Sequence, residues 1–169
     1  KNTLTMKKII RIISVVFLAA FLNTAAYAHC EVPCGIYTDH LRIELIKEHI
    51  MTIEKAMKQI EALADEDDED YNQIVRWTMT KEHHAKLIQE IAEQYFMTQR
   101  IKPVDPEDEE AYKKYITQLT LAHEILIYAM KTKQSTDTKY TEKLSATVDK
   151  FAEAYFGPED KEHLHEHKH

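Results

Sequence analysis

The sequence predicts an all-α protein folded as an antiparallel four-helix bundle behind a short N-terminal head, and three observations carry that expectation. Glycine occurs only twice in 169 residues and proline four times, too few turn formers for a many-stranded sheet. Apolar residues recur at spacings of three and four along four separate stretches, the signature of helices with one buried face. Short polar or proline-containing links separate those stretches, and an antiparallel bundle is the economical way to pack helices joined so closely.

The chain opens on an address. Lys7, Lys8 and Arg11 precede an apolar run from Ile12 to Leu22, and Ala26-Tyr27-Ala28 then places small residues where a signal peptidase reads them. That run falls short of the ~20 residues needed to span a bilayer. Residues 1–28 are therefore read as a cleaved signal peptide, with Met6 as the start and Lys1 to Thr5 as an upstream remnant. Export to the periplasm or the extracellular space follows. Cleavage after Ala28 removes four basic residues and no acids, leaving 18 basic against 29 acidic side chains, a formal charge of −11. A chain so acidic is a poor match for nucleic acid or anionic lipid, and neither is expected as a partner.

From Asp39 the residues Ile43, Ile46, Ile50, Ile53, Met57 and Ile60 mark the first helix, which ends near Ala64. The six acids Asp65 to Asp70 read as a solvated linker, since they lack the glycine and ligand spacing of a cation loop. A second helix runs from about Tyr71 to Thr98, with Ile74, Trp77, Leu87, Ile88, Ile91 and Tyr95 inside and His84 on the same seam. Pro103 and Pro106 break the chain. The third helix is expected to bury Tyr112, Ile116, Leu119, His123, Leu126 and Met130, with His123 packed rather than ligating. After residues 135–137 the fourth carries Tyr140, Leu144, Val148, Phe151 and Tyr155, and Gly157-Pro158 stops it. The bundle thus occupies residues 39–157, and residues 158–169 form a His-rich tail. Its alternating His163, His165, His167 and His169 are either a metal-gathering end or a polar one.

The chemistry is concentrated in residues 29–38. Cleavage leaves His29 as the first residue of His29-Cys30-Glu31-Val32-Pro33-Cys34-Gly35-Ile36-Tyr37. A free α-amine, the Cys30 amide nitrogen and the Cys30 thiolate close two fused five-membered chelate rings on one ion. Cys34 supplies a fourth corner, and the His29 imidazole reaches an axial position. Two thiolates and two nitrogens in a plane suit Ni(II) or Cu(II) rather than tetrahedral zinc, without separating the two. Anionic sulfur and a deprotonated amide stabilise a higher oxidation state, so redox chemistry is the natural inference. Pro33 and Gly35 suit a tight loop folded back round the ion.

This nonapeptide resembles the metal-binding hook of the nickel superoxide dismutases, H-C-x-x-P-C-G-x-Y at the processed amino terminus, and matches every fixed position. The resemblance continues into Arg42-Ile43-Glu44, Arg76-Trp77 and Lys81-Glu82. It implies a homohexamer of four-helix bundles, each with one nickel ion, converting two superoxide ions and two protons to oxygen and hydrogen peroxide. It implies His29, Cys30 and Cys34 as nickel ligands, Tyr37 beside the open face, and Glu44 as the carboxylate that orients the axial imidazole. Glu31 replaces the more common Asp, and the stretch from Tyr37 to Arg42 is one residue shorter and lacks the usual Asp-Pro. His84 stands where some members carry an arginine aimed at the histidine; it is read as a packed histidine or as a second partner of that imidazole. Lys81 is a candidate for steering the anionic substrate. The alternatives are an exported nickel- or copper-binding bundle without catalysis, and a bundle stapled by a Cys30–Cys34 disulfide.

Overall fold

The computed structural model describes residue 35 and residues 37–66 and 70–156. Within them the chain forms four helices and no strand: α1 (Asp39–Ala64), α2 (Tyr71–Glu90, continuing as a π-helical stretch Ile91–Arg100), α3 (Glu109–Gln134) and α4 (Lys139–Tyr155). Each helix packs on its neighbours in sequence, and α4 closes the ring against α1. The expected four-helix bundle is the observed fold. No described helix is long and apolar enough to cross a membrane.

Local chemistry explains most of the boundaries. Asp70, the last of the six acids, accepts from the Gln73 amide at 3.1 Å and starts α2; Asp108 does the same for α3 through Ala111, satisfying donors that a helix leaves unpaired. Glu109 and Glu110 in the first turn of α3, and Lys131 and Lys133 in its last, complement the helix dipole. By contrast α1 has no local side-chain cap. Its start is held by contacts from the far end of α2.

The core follows the predicted stripe closely on α1, where Ile43, Ile46, Ile50, Ile53 and Met57 are all buried, and on α4, where Leu144, Val148 and Phe151 are. On α3 the expectation fails. Its buried row is Ala122, Ile125, Ala129 and Thr132, while His123 and Ile116 are exposed and Tyr112, Leu119, Leu126 and Met130 only half-buried. Small side chains sit on the line of closest approach, and larger ones such as Leu121, Leu126 and Tyr128 cover its flanks. Hydrophobicity alone therefore pointed one step round the helix.

An aromatic cluster fills the end of the core below the start of α1. Phe96 meets Tyr95, Phe151 and Tyr155 edge-on with ring centres 5.0–5.3 Å apart, an arrangement that suits the ring quadrupoles. Both Tyr95 and Phe96 come from the π-helical stretch. There the amide of Ile101 bonds the carbonyl five residues back, on Phe96, at 2.8 Å. Such a helix turns less per residue than an α-helix, so residues five apart return to one face, whereas in an α-helix they lie about 140° apart.

Candidate metal centre

His29, Cys30 and Cys34, the residues expected to grip the metal, lie outside the described residues. So do the signal segment and the His-rich tail. What the structure describes is the root of the head. Gly35, next to Cys34, has φ +75°, the left-handed conformation that glycine adopts without strain and that its place in a folded-back loop predicts. Among the described residues no group of three or more His, Cys, Asp or Glu side chains is gathered to hold a metal ion.

Tyr37 sits at the root with its side chain partly exposed. The guanidinium of Arg100 lies 4.2 Å from its ring centre, a cation–π distance, and Tyr95 meets it edge-on at 6.0 Å. Both partners converge on Asp39 in the first turn of α1. Arg100 forks onto that carboxylate, with Nη2 at 2.6 Å from Oδ2 and Nε at 3.0 Å from Oδ1. The Tyr95 hydroxyl donates to Oδ1 at 2.5 Å, the Tyr155 hydroxyl to Oδ2 at 2.8 Å. Tyr95 also accepts the Thr38 amide proton at 2.9 Å, which supplies the α1 terminus with the partner it lacks locally.

This geometry sets the protonation states. Burial pushes the Asp39 carboxyl up, but the hydrogen bonds from Arg100, Tyr95 and Tyr155 outweigh it and hold the group below its ordinary value. Burial and Asp39 together push the Tyr95 phenol up to about 12, and Tyr155 is raised for the same two reasons. Asp39 is thus a carboxylate and both phenols are donors at neutral pH. A cleft of about 640 Å³ opens beside the group, bounded by Tyr37, Asp39, His40, Arg100, Tyr155 and Phe156. Arg42 stands over the Tyr95 ring at 4.9 Å.

His84 occupies a different place. Its Nδ1 lies 3.0 Å from Nδ1 of His49, joining α2 to α1, and His83 beside it is exposed. Burial and neighbouring histidines hold both His49 and His84 below the ordinary imidazole value. Glu44 is exposed on α1 and its ion-pair partner is Lys47 at 3.7 Å, so within one chain the structure does not bring Glu44 and His84 together. Lys81 requires a correction. It is buried, and its ammonium donates to the carbonyls of Thr132 and Lys133 at 2.8 and 2.6 Å, closing the C-terminal end of α3. Fourteen positions before Tyr95, it lies about 21 Å along α2 from the root, withdrawn from any substrate path there.

Sequence reasoning missed Asp39, Arg100 and Tyr155. Asp39 and Arg100 showed only as an acid at the start of a helix and an arginine before a proline break, too common to single out, and Tyr155 only as part of the apolar stripe of α4. Comparisons with curated proteins and with solved structures found no match. A family model described as nickel-containing superoxide dismutase matches residues 24–159, a span that takes in the whole head and all four helices. Because that match spans most of the sequence, the chain belongs to the nickel-containing superoxide dismutases, oxidoreductases that use nickel to disproportionate superoxide.

Proposed function

We propose that the catalytic nickel is held by the processed head: the amine and imidazole of His29, the amide nitrogen and thiolate of Cys30, and the thiolate of Cys34. One observation carries this assignment, the nine-residue run His29 to Tyr37 with every family position filled. The donor chemistry fits the ion, since two soft thiolates beside two nitrogens match the preference of nickel for a tetragonal field, and Gly35 already holds the positive φ that a folded-back loop needs. When bound, nickel supplies a one-electron couple to which superoxide can give, and from which it can take, an electron.

The remaining work belongs to the chain. Cys30 and Cys34 donate charge that brings the couple into range. Tyr37 restricts access on the open side, and the bundle anchors it there. Glu44, exposed on α1 and paired with Lys47 at 3.7 Å, orients the His29 imidazole, and the chains assemble as a homohexamer. The protein works after export, because only removal of residues 1–28 frees the His29 amine.

The decisive experiment is intact-mass spectrometry of the exported protein, reading its first residue and bound metal together. His29 as first residue, one nickel per chain and superoxide dismutation lost in both Cys30→Ser and Cys34→Ser are expected. A mature chain that starts elsewhere, or one with Cys30 and Cys34 joined as a disulfide when active, overturns the assignment.

A further inference from the structure

We infer that Asp39 and Arg100 are a positioning pair, which fixes the Tyr37 ring and the Thr38 backbone and so sets the direction in which the metal-holding head leaves the bundle. The inference rests on the reading that residues 29–37 form that head. It goes beyond it by naming two residues outside that head.

The argument starts from how little else holds Tyr37. Its ring is 39% exposed, and its two described ring neighbours are Arg100 and Tyr95. Arg100 is locked because its guanidinium grips both oxygens of Asp39, a bidentate geometry that fixes the plane of the fork as well as its position. Tyr95 is locked because its hydroxyl donates to Asp39 and accepts from the Thr38 amide. The side chain of Tyr37 and the backbone that follows it therefore trace back to one carboxylate. Arg100 reaches that carboxylate because the π-helical winding of 91–100 brings it to the face that Tyr95 occupies.

Cys34 precedes Tyr37 by three residues, within about 11 Å of chain. A misplacement of about 1 Å costs on the order of 10²-fold in rate where reacting groups must be aligned, so the placing of Tyr37 and Thr38 matters to the chemistry of the head. The pair is neutral as a unit. Its action is geometric, which distinguishes it from a steering cation, whose loss changes the dependence of rate on salt.

The test uses the full mature chain and the charge-conserving double variant Asp39→Asn with Arg100→Gln, which breaks the fork and leaves the net charge alone. Nickel-loaded, the double variant should lose at least about tenfold in kcat, with KM and the ionic-strength slope of kcat/KM unchanged. Arg100→Lys, which keeps one hydrogen-bonding cation but not the planar fork, should fall between. In the nickel-free protein, hydrogen exchange at the Thr38 amide should quicken in the double variant. Val148→Ala, which loosens the core of α4 away from Tyr37, controls for general destabilisation.

Wild-type kcat in the double variant, an altered salt slope, or an equal loss of kcat in Val148→Ala overturns the inference. Unchanged Thr38 exchange overturns it as well. Should nickel-loaded wild-type protein fail to dismute superoxide, the functional reading falls, while Thr38 exchange still decides the positioning role.

Discussion

Near opposite ends of the bundle, α2 withdraws a cation from water in two different ways. Arg100 meets a carboxylate that also accepts from two phenols at the root of the head; Lys81, about 28 Å away along the helix, meets the two carbonyls that end α3. The consequences are opposite. The hydrogen bond to Asp39 raises the Arg100 pKa further, whereas burial lowers that of Lys81 despite Glu82 nearby. A carboxylate returns a full charge, while helix-end carbonyls return only partial ones. The first joint thus fixes direction and register, and the second seals a helix end. Neither leaves a free positive charge in an acidic protein.

Removing the carboxylate should separate the two joints most sharply. Asp39→Ala leaves a half-buried guanidinium and two hydroxyls without their acceptor and should cost about 2–3 kcal/mol of stability, read by chemical denaturation. The same joint should fail in acid. Because the folded pKa of Asp39 lies below the unfolded value of about 3.9, its contribution is complete above that value and is lost as pH falls through the folded one. A melting temperature unmoved by Asp39→Ala would show that the carboxylate holds nothing.

A smaller effect is expected at the other joint. Lys81→Met removes the donor to Thr132 and Lys133 but also the cost of burying an ammonium, so about 1–2 kcal/mol should be lost, with kcat unchanged. A large fall in kcat there would restore Lys81 as a functional cation and break the contrast.

The smallest effect belongs to the imidazole pair between the two joints. His49 and His84 have folded pKa values below the unfolded value of about 6.5, so the unfolded chain takes up protons first as pH falls. Their contribution is complete above about 6.5 and should be lost below it, by less than about 1 kcal/mol, as pH drops through the folded values. Thermal melts between neutral pH and pH 5 should show this slope, and His84→Gln should flatten it.

The contrast also explains what could be seen in the amino-acid order. The family was legible because its pattern is contiguous, nine residues from His29 to Tyr37. The bundle was legible where large β-branched or aromatic side chains mark the buried line, as Ile43 to Met57 do. On α3 the buried line runs through Ala122, Ala129 and Thr132, whose small size permits close packing and gives a weak periodic signal. The Asp39–Arg100 joint spans 61 positions, and nothing local couples an acid at one helix start to an arginine at the end of the next. Lys81 misled because sign is readable from sequence and burial of a single cation is not.

The slow winding of residues 91–100 also works as a length gauge. Deleting one residue between Ile91 and Gln99 would rotate every later side chain by somewhat less than the roughly 100° of an α-helical step, carrying Arg100 away from Asp39 even though no contact residue had been replaced. Insertions and deletions in this stretch should therefore be tolerated far less than substitutions at its exposed positions, such as Glu93 and Thr98. The end of α2 is constrained by its count of residues before it is constrained by their chemistry.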